Sequence, residues 1–323
     1  MLDRYGRVIN YLRISVTDRC NLRCCYCMPE GVQDVGMKNI LTFEEIWEIV
    51  RTGVSLGITH IRITGGEPLV RKDCVDLIRG IREISGVETI TMTTNGVLLG
   101  NYGKQLKEAG VDGVNISLDT LNPEEFYKIT GKRELQEVLA GIRAAKTAGL
   151  PVKLNAVNGK ELDPIPLVRY AQEENLPLRF IEMMPVGYGK KYVGRSNEEL
   201  RETLEAVCGK AECMTNREEL SRMGSGPAVY YQFSDLKVPV GFISAIHGKF
   251  CDTCNRVRLT AEGYLKLCLC YDEGEDLRRV LREGEKENLR TIMEQTIFQK
   301  PAAHCFEHPA EMTETHEMVK IGG

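Results

Sequence analysis

The sequence predicts an α/β fold built on a parallel β-sheet, and three observations support this prediction. Six short runs rich in β-branched residues recur between residues 8 and 187, and helical patterns alternate with them. Polar residues collect where several of these runs end. Repeated βα units place their strands in parallel, either in an open doubly wound sheet or in a whole or partial barrel, and periodicity alone does not separate the two.

The predicted strands cover residues 10–16, 60–64, 88–93, 113–118, 151–157 and 177–183. Between the first two, Thr42 and Glu45 have the spacing of a capping box, directly before a run with apolar residues on one helical face. Similar helices are predicted after the other strands, including one over residues 135–148. Residues 1–190 are therefore predicted to form one domain of six β/α units.

A different pattern begins after Gly187, and residues 191–323 are predicted to form a second region. It contains a helix over 197–207, strands near 229–233 and 238–245, and a hairpin around Glu262 and Gly263. An acidic helical tail follows and ends in Gly322 and Gly323. By itself, such a pair of glycines is typical of a frayed terminus.

Composition and charge exclude several classes of protein. The formal net charge is −4, and residues 271–323 carry 12 acidic and 7 basic side chains, so the rest of the chain is nearly neutral. No broad basic face for nucleic acid is expected, and no apolar run approaches the roughly 20 residues of a membrane span. The charged start differs from a signal peptide, so we expect a cytoplasmic protein without a membrane partner.

Cys20, Cys24 and Cys27 lie within eight residues, directly after the first predicted strand. Twelve cysteines in a reducing compartment point to metal or cluster ligation rather than disulfides. Three thiolates on one loop leave a tetrahedral zinc ion a ligand short, whereas a cubic iron–sulfur cluster held by three cysteines keeps one iron open. Cys25 lies between these ligands and is expected to point away from them.

A second cysteine group consists of Cys251, Cys254 and Cys268, and its spacing is ambiguous. His247 could complete a zinc site with these three cysteines. Cys270 is an alternative third ligand, although the spacing favours Cys268.

Polar residues also mark the carboxyl ends of the predicted strands, the edge where parallel sheets carry their active sites. A Gly65-Gly66-Glu67 turn lets backbone groups approach a ligand and offers a carboxylate that can meet an ammonium group. The other polar strand ends carry Thr93, Ser117 with Asp119, Lys153 with Asn155, and Glu182 with Met184. The first cysteine loop belongs to this same edge.

Five cations are candidates for binding a multiply charged anion. Arg256 and Arg258 alternate on a strand directly after Cys254, so both face one side. Arg13, Arg62 and Lys153 lie on other predicted strands, where an inward cation needs an anionic partner. This number of cations suits a triphosphate.

The first cysteine group with Tyr26, followed by the Gly65–Pro68 turn, resembles the signature of the radical S-adenosylmethionine superfamily. When the second cysteine group, Arg256, Arg258 and the Gly-Gly end are added, the chain resembles the GTP 3′,8-cyclase family within it. This resemblance runs from about residue 10 to the last residue.

The resemblance implies an incomplete (β/α)6 barrel of the triosephosphate isomerase type, with the C-terminal region closing its open side. It implies two 4Fe-4S clusters, the first binding S-adenosylmethionine and reducing it to give a 5′-deoxyadenosyl radical. That radical is expected to remove hydrogen from C3′ of GTP, after which C3′ attacks C8 of guanine in the first step of molybdenum cofactor biosynthesis.

The resemblance also assigns roles to individual residues. It implies S-adenosylmethionine contacts at Tyr26, Gly66, Ser117 and Met184, and GTP contacts at Arg13, Arg62, Thr93, Lys153, Arg256 and Arg258. The second cluster is expected to bind guanine, and Gly322 and Gly323 are expected to reach the site and to be needed for turnover with Arg256 and Arg258.

Other functions and partners stay open at this point. A rival reading is a two-cluster radical enzyme that modifies a peptide, and another is an electron carrier or a zinc-stabilised binding module. A reductant is required as a partner, but the sequence does not identify it. It leaves the oligomeric state open too, with a homodimer as one alternative.

Overall fold

The computed structural model describes residues 1–32, 35–224 and 226–322. Its strands are β1 Tyr11–Ser15, β2 His60–Thr64, β3 Thr89–Thr94, β4 Gly113–Ser117, β5 Val152–Val157, β6 Leu178–Ile181, β7 Ala211–Cys213, β8 Val229–Phe233, β9 Val240–Ile243, β10 Arg256–Leu259, β11 Tyr264–Lys266 and β12 Gly274–Asp276. Its helices are α1 Phe43–Ser55, α2 Cys74–Arg82, α3 Leu99–Glu108, α4 Pro123–Thr130, α5 Leu135–Thr147, α6 Ile165–Glu173, α7 Asn197–Cys208, α8 Arg217–Arg222, α9 Leu277–Arg282 and α10 Leu289–Phe298.

The described strands form one sheet in the order β12-β11-β10-β1-β2-β3-β4-β5-β6-β9-β8-β7. Strands β1 to β6 pair in parallel with their neighbours in chain order, and helices connect them. This confirms the predicted α/β fold with an incomplete (β/α)6 barrel, and the sheet stays open. Within the described residues, no helix is long and apolar enough to cross a membrane.

The C-terminal region extends both edges of this sheet. Strand β10 pairs in parallel with β1, and β9 pairs in parallel with β6. Short antiparallel strands follow on the outside, with β11 beside β10 and β8 beside β9. Residues after position 190 therefore flank the barrel on two sides, although the predicted domain boundary itself stays a prediction.

Side chains along the inner strands alternate between the apolar core under the helices and the polar cavity inside the barrel. On β1, Leu12 and Ile14 are fully buried within the apolar core that the helices cover, while Arg13 lines the interior cavity. Strand β2 repeats this pattern, with Ile61 and Ile63 in the core and Arg62 at the cavity. The inner face of the barrel is therefore built for a polar ligand rather than filled by apolar side chains.

The predicted capping box of α1 is present. The Thr42 side chain accepts a hydrogen bond from the Glu45 backbone N–H, and the Glu45 carboxylate accepts one from the Thr42 backbone. The hairpin predicted around Glu262 and Gly263 also forms, as the turn between β10 and β11. The predicted helical tail is correct only as far as α10, because beyond Phe298 the described residues contain just two short 3₁₀ turns, at 309–311 and 318–321.

Candidate active site

A cavity of about 370 Å³ lies inside the barrel and extends from the carboxyl ends of the parallel strands to the amino ends of β1 and β10. Both cysteine groups line it, together with residues from the barrel strands and from the C-terminal region. The predicted site residues on its wall are Arg13, Cys20, Cys24, Tyr26, Cys27, Arg62, Gly66, Thr93, Ser117, Met184, Cys251, Cys254, Arg256, Arg258 and Cys268.

The first cysteine loop follows β1 and is tied to its surroundings by backbone hydrogen bonds. The Arg23 N–H donates to the carbonyl of Thr130 at 2.7 Å, and the Cys25 N–H donates to the carbonyl of Ile129 at 2.8 Å. Burial, reinforced by the neighbouring Cys20, raises the pKa of the Cys27 thiol to about 12. Three half-buried thiols that face one cavity suit a bound cluster, whose irons replace the thiol protons.

The Gly65-Gly66-Glu67 turn fastens this loop to β2. The Gly66 N–H donates to the carbonyl of Thr17 at 2.7 Å, and the Glu67 N–H donates to the carbonyl of Arg19 at 2.9 Å. A Cβ atom on Gly66 would lie 2.5 Å from the Arg19 carbonyl oxygen, so a side chain there would push the cysteine loop away.

Glu67 does not reach the cavity, and the expectation that its carboxylate meets an ammonium group finds no support in the structure. It is completely buried and accepts hydrogen bonds from the Asn95 N–H at 2.7 Å, the Thr94 hydroxyl at 2.9 Å and the Leu69 N–H at 3.1 Å. Burial outweighs these bonds and raises the pKa of Glu67 to about 7. Through these hydrogen bonds, the Glu67 side chain connects the turn to the end of β3.

The four residues predicted to contact S-adenosylmethionine all line the cavity beside the first cysteine group. Among them, Tyr26 donates its hydroxyl hydrogen to Asp119 Oδ2 at 2.7 Å. Asp119 Oδ1 in turn accepts the Val157 N–H at 2.8 Å. This hydrogen-bond chain joins the first cysteine loop to the ends of β4 and β5.

The second cysteine group is organised by Arg7, which the sequence did not single out. Arg7 pairs with Asp3 at 2.6 Å and donates to the carbonyls of Cys251 and Ala302, each at 2.8 Å. It therefore ties the cysteine loop to the segment that follows α10. Burial alone would raise the pKa of Cys254, but Lys300 and Arg256 lower it below the ordinary value.

The geometry does not suit the zinc alternative for this group. Thiolates that share one tetrahedral zinc ion lie roughly 4 Å apart, because each Zn–S bond is about 2.3 Å long. Among the described residues, the only trio of potential metal ligands with all ligand atoms within 4.8 Å of one another is Asp272, Glu314 and His316. His247 is also absent from the cavity wall that Cys251, Cys254 and Cys268 line.

Cys270 also turns away from the cavity, which Cys268 lines. Its sulfur lies 3.1 Å from that of Cys305, and both thiols are buried in an apolar cluster with Val186 and Ile321. These contacts support Cys268 as the third ligand of the second group.

Three arginines form a row across adjacent strands. Arg13 on β1 is in register with Arg258 on β10 and with Arg62 on β2. Burial, together with the neighbouring Arg256, lowers the pKa of Arg258 to about 10. The buried Nε–H groups of Arg62 and Arg256 have no hydrogen-bond partner among the described residues. Burying such donors without an acceptor costs free energy. The row and the neighbouring Arg256 therefore favour binding of an anion.

Lys153 is the predicted cation that the structure places apart from the cavity wall. Its Nζ donates to the carbonyl of Met223 at 2.7 Å. Burial, followed by the charges of Arg179 and Arg62, lowers its pKa to about 8.

Arg179 on β6 lines the cavity and was missed in the sequence. It is 5% exposed, and Asn155 accepts from its Nε–H at 2.9 Å. It lies over Gly241, where a Cβ atom would come within 2.9 Å of its Cγ. An arginine in the short apolar run Leu178–Ile181 was the signal that could have revealed it.

The chain terminus enters the same region. The Gly322 carbonyl accepts hydrogen bonds from the Thr64 hydroxyl at 3.1 Å and from Arg258 Nη1 at 3.2 Å. Its φ of 92° lies in the left-handed region that favours glycine. Gly323, the other predicted terminal residue, lies outside the described residues.

Comparisons with known proteins agree with this geometry. Residues 14–172 match the Radical SAM superfamily, and residues 176–306 match the family Molybdenum Cofactor Synthesis C. A GTP 3′,8-cyclase from Clostridium perfringens strain 13 is 42% identical, and the match covers 100% of both chains. Another from Peptoclostridium acidaminophilum is 44% identical over 100% of this chain and 98% of its own.

Solved structures show the same fold. SuiB of Streptococcus suis, solved with S-adenosylmethionine bound, superposes with a TM-score of 0.65 at 15% identity, covering 97% of this chain and 77% of that one. HydG, a maturase of the [FeFe]-hydrogenase, gives a TM-score of 0.51 at 17% identity over 63% of this chain and 50% of its own.

Proposed function

Because the chain belongs to the GTP 3′,8-cyclase family of radical S-adenosylmethionine enzymes, we propose that its cavity holds S-adenosylmethionine at the first cysteine group and GTP at the second. The reaction is the cyclisation of GTP to (8S)-3′,8-cyclo-7,8-dihydroguanosine 5′-triphosphate, the first step of molybdenum cofactor biosynthesis.

The donor sets fit two 4Fe-4S clusters. Cys20, Cys24 and Cys27 would hold the first, and Cys251, Cys254 and Cys268 would hold the second, which leaves each cluster one iron without a cysteine. When bound, the first cluster and S-adenosylmethionine supply the one-electron chemistry that removes a hydrogen atom from the substrate ribose.

The residues beside the first cysteine group are proposed to bind and orient S-adenosylmethionine. Tyr26 is held in place by Asp119, so its ring forms a fixed wall beside the cysteine loop. Gly66 brings the backbone of the turn close to that loop, and Ser117 and Met184 line the cavity at the ends of neighbouring strands. These residues would enclose the ligand and exclude water from it.

GTP is proposed to bind across the arginine row and the neighbouring Arg256. Arg13, Arg62, Arg256 and Arg258 face the cavity from three neighbouring strands, and Thr93 adds a hydroxyl group. Lys153 would join them by exchanging the Met223 carbonyl for a phosphate oxygen.

One observation carries this proposal: the cavity between the two cysteine groups presents half-buried arginines whose charge its own carboxylates do not neutralise. Asp119 and Glu182 are the carboxylates on the described part of its wall. Both are already hydrogen-bonded, Asp119 to Tyr26 and Glu182 to His247. A multiply charged anion such as a triphosphate would compensate this charge, whereas an uncharged peptide backbone would not.

Metal analysis and a product assay on anaerobically reconstituted protein test the proposal. We expect about eight irons per chain, four in each cubic cluster, and formation of 5′-deoxyadenosine that depends on GTP. About four irons and one zinc would reduce the second site to a structural role. Formation of 5′-deoxyadenosine with a peptide and not with GTP would favour a peptide-modifying enzyme.

Four further statements stay proposals. We propose that residues 1–190 form the S-adenosylmethionine domain and residues 191–323 the region of the second cluster. A separate reductant supplies the electron, the chain works in the cytoplasm, and it assembles as a homodimer.

A further inference from the structure

The last residues of the described chain, 317–322, form a terminal segment that contacts both halves of the cavity. Lys320 Nζ lies 2.5 Å from Asp18 Oδ2, and the two side chains are 19% and 6% exposed. Asp18 stands two residues before Cys20, at the start of the first cysteine loop. The same ammonium group is 3.6 Å from Glu262 in the turn between β10 and β11.

The backbone of the terminal segment reaches the same two places. The backbone of Val319 lies near the thiol of Cys27, in the first cysteine group. Three residues further on, the Gly322 carbonyl accepts from Thr64 and from Arg258, whose strand leads out of the second cysteine group. The segment therefore contacts a predicted ligand of the first cluster and an arginine of the GTP region within four residues.

The segment cannot fix its own position. Its 3₁₀ turn covers residues 318–321, too short to be stable without tertiary contacts. Val319 and Ile321 are 1% and 2% exposed and supply apolar burial, which is not directional. A charged pair with one short N–O contact is directional, and its burial protects it from screening by salt.

We infer that Lys320 is a positioning residue, which through Asp18 sets the terminal segment so that the Gly322 carbonyl meets Arg258. Asp18 lies at the start of the first cysteine loop, so the ion pair fixes the terminal segment relative to that loop. This inference rests on the proposed function, because it gives the segment its role in GTP cyclisation.

The test compares variants of the full chain with both clusters loaded. Lys320→Met removes the ammonium group and keeps the apolar stem, Lys320→Arg keeps a charge, and Asp18→Asn removes the partner charge. Lys286→Met is the matched control, because Lys286 is an exposed lysine that pairs with Glu48 at 3.4 Å, outside the cavity wall.

The first readout is hydrogen exchange in peptides that cover residues 314–322, measured without GTP. In Lys320→Met and in Asp18→Asn we expect exchange of the segment to be at least tenfold faster than in the parent. Lys320→Arg and Lys286→Met should keep the parent rate. The double variant should loosen the segment no further than either single variant, since both remove one interaction.

The second readout is the amount of cyclised GTP formed per S-adenosylmethionine cleaved. We expect this ratio to fall at least fivefold in Lys320→Met, with the KM for S-adenosylmethionine unchanged, and to recover in Lys320→Arg. Parent-like exchange in Lys320→Met would overturn the inference, and so would a loosened segment with an unchanged ratio. Because exchange is measured without GTP, a parent protein that fails to cyclise GTP would count against the proposed function instead.

Discussion

At the scale of single residues, Arg256 and Arg258 carry the most direct test of GTP binding. Replacing either with alanine removes a half-buried guanidinium group from the wall between the two cysteine groups. We expect kcat/KM for GTP to fall tenfold or more, equivalent to about 1.4 kcal/mol, with binding of S-adenosylmethionine unchanged. Steady-state kinetics with Arg290→Ala, an exposed arginine on α10, as the control would check this.

Equal kcat/KM values for the parent and both variants would contradict the role of these arginines. A parallel loss of S-adenosylmethionine binding would show instead that the substitutions disturb the whole cavity.

Lys153 predicts a pH dependence. Its lowered pKa of about 8 means that the side chain is charged below that pH and becomes neutral above it. We therefore expect kcat/KM for GTP to decline as the pH rises through about 8, because this parameter reports groups of the free enzyme. Lys153→Arg keeps its charge, so its decline should disappear or move to higher pH. Identical pH profiles for the two proteins would remove Lys153 from the site.

The sequence predicted the residue types of the site better than their contacts. Fifteen predicted residues line one cavity, because residues at the carboxyl ends of parallel strands converge and the predicted arginines occupy inward-facing strand positions. The second cysteine group also lines it, at the amino ends of β1 and β10, and no local pattern predicts that placement. Glu67 was misread, because nothing in a Gly-Gly-Glu turn shows that the following strand offers the Thr94 and Asn95 donors. Arg7 was missed because its partners, Cys251 and Ala302, are about 250 residues or more away in the chain.

At the scale of elements, two helical glycines predict opposite effects of the same substitution. Gly80 in α2 lies under Trp47, where a Cβ atom would come within 2.4 Å of the indole ring. Gly80→Ala should therefore lower the free energy of unfolding, although alanine favours helices by about 1 kcal/mol. Gly100 in α3 has no atom within 4 Å of its Cβ position, so Gly100→Ala should be neutral or raise stability by up to about 1 kcal/mol.

Urea denaturation of the parent and the two variants checks this pair. A Gly80→Ala protein as stable as Gly100→Ala would mean that Trp47 moves aside without cost.

The positions of most strands and helices could be predicted from local sequence patterns, whereas the order of the strands in the sheet could not. The second strand was predicted at 60–64 and is observed there, since alternating Ile61 and Ile63 mark it clearly. The three-residue strands β7 and β12 were not predicted, because three residues are too few to show the alternation of apolar and polar side chains that marks a strand. The addition of β10 to β1 and of β9 to β6 joins distant parts of the chain, and neither pairing has a local signal.

At the scale of the whole molecule, the cavity is completed by the end of the chain. Removing Gly322 and Gly323 deletes the carbonyl that Thr64 and Arg258 bind, but leaves both cysteine groups in place. We expect at least a tenfold loss of cyclised product with an unchanged iron content. Product analysis and iron determination on the truncated chain check this. Normal turnover by the truncated chain would mean that the two glycines are only a frayed terminus.

The open sheet explains why two cysteine groups can share one cavity. The first group follows β1 inside the barrel, and the second precedes β10, which pairs with that same strand. Because β1 and β10 are parallel, the first group lies at the carboxyl ends of the strands and the second at their amino ends, with the space that the substrate would fill between them. The central claim is that this space holds GTP next to S-adenosylmethionine.

The most direct test of that claim is to follow deuterium from GTP labelled at C3′ into 5′-deoxyadenosine, using the anaerobically reconstituted enzyme. We predict 5′-deoxyadenosine that is heavier by one deuterium and formed only when GTP is present. Unlabelled 5′-deoxyadenosine, or the same yield without GTP, would contradict the placement of GTP between the two cysteine groups.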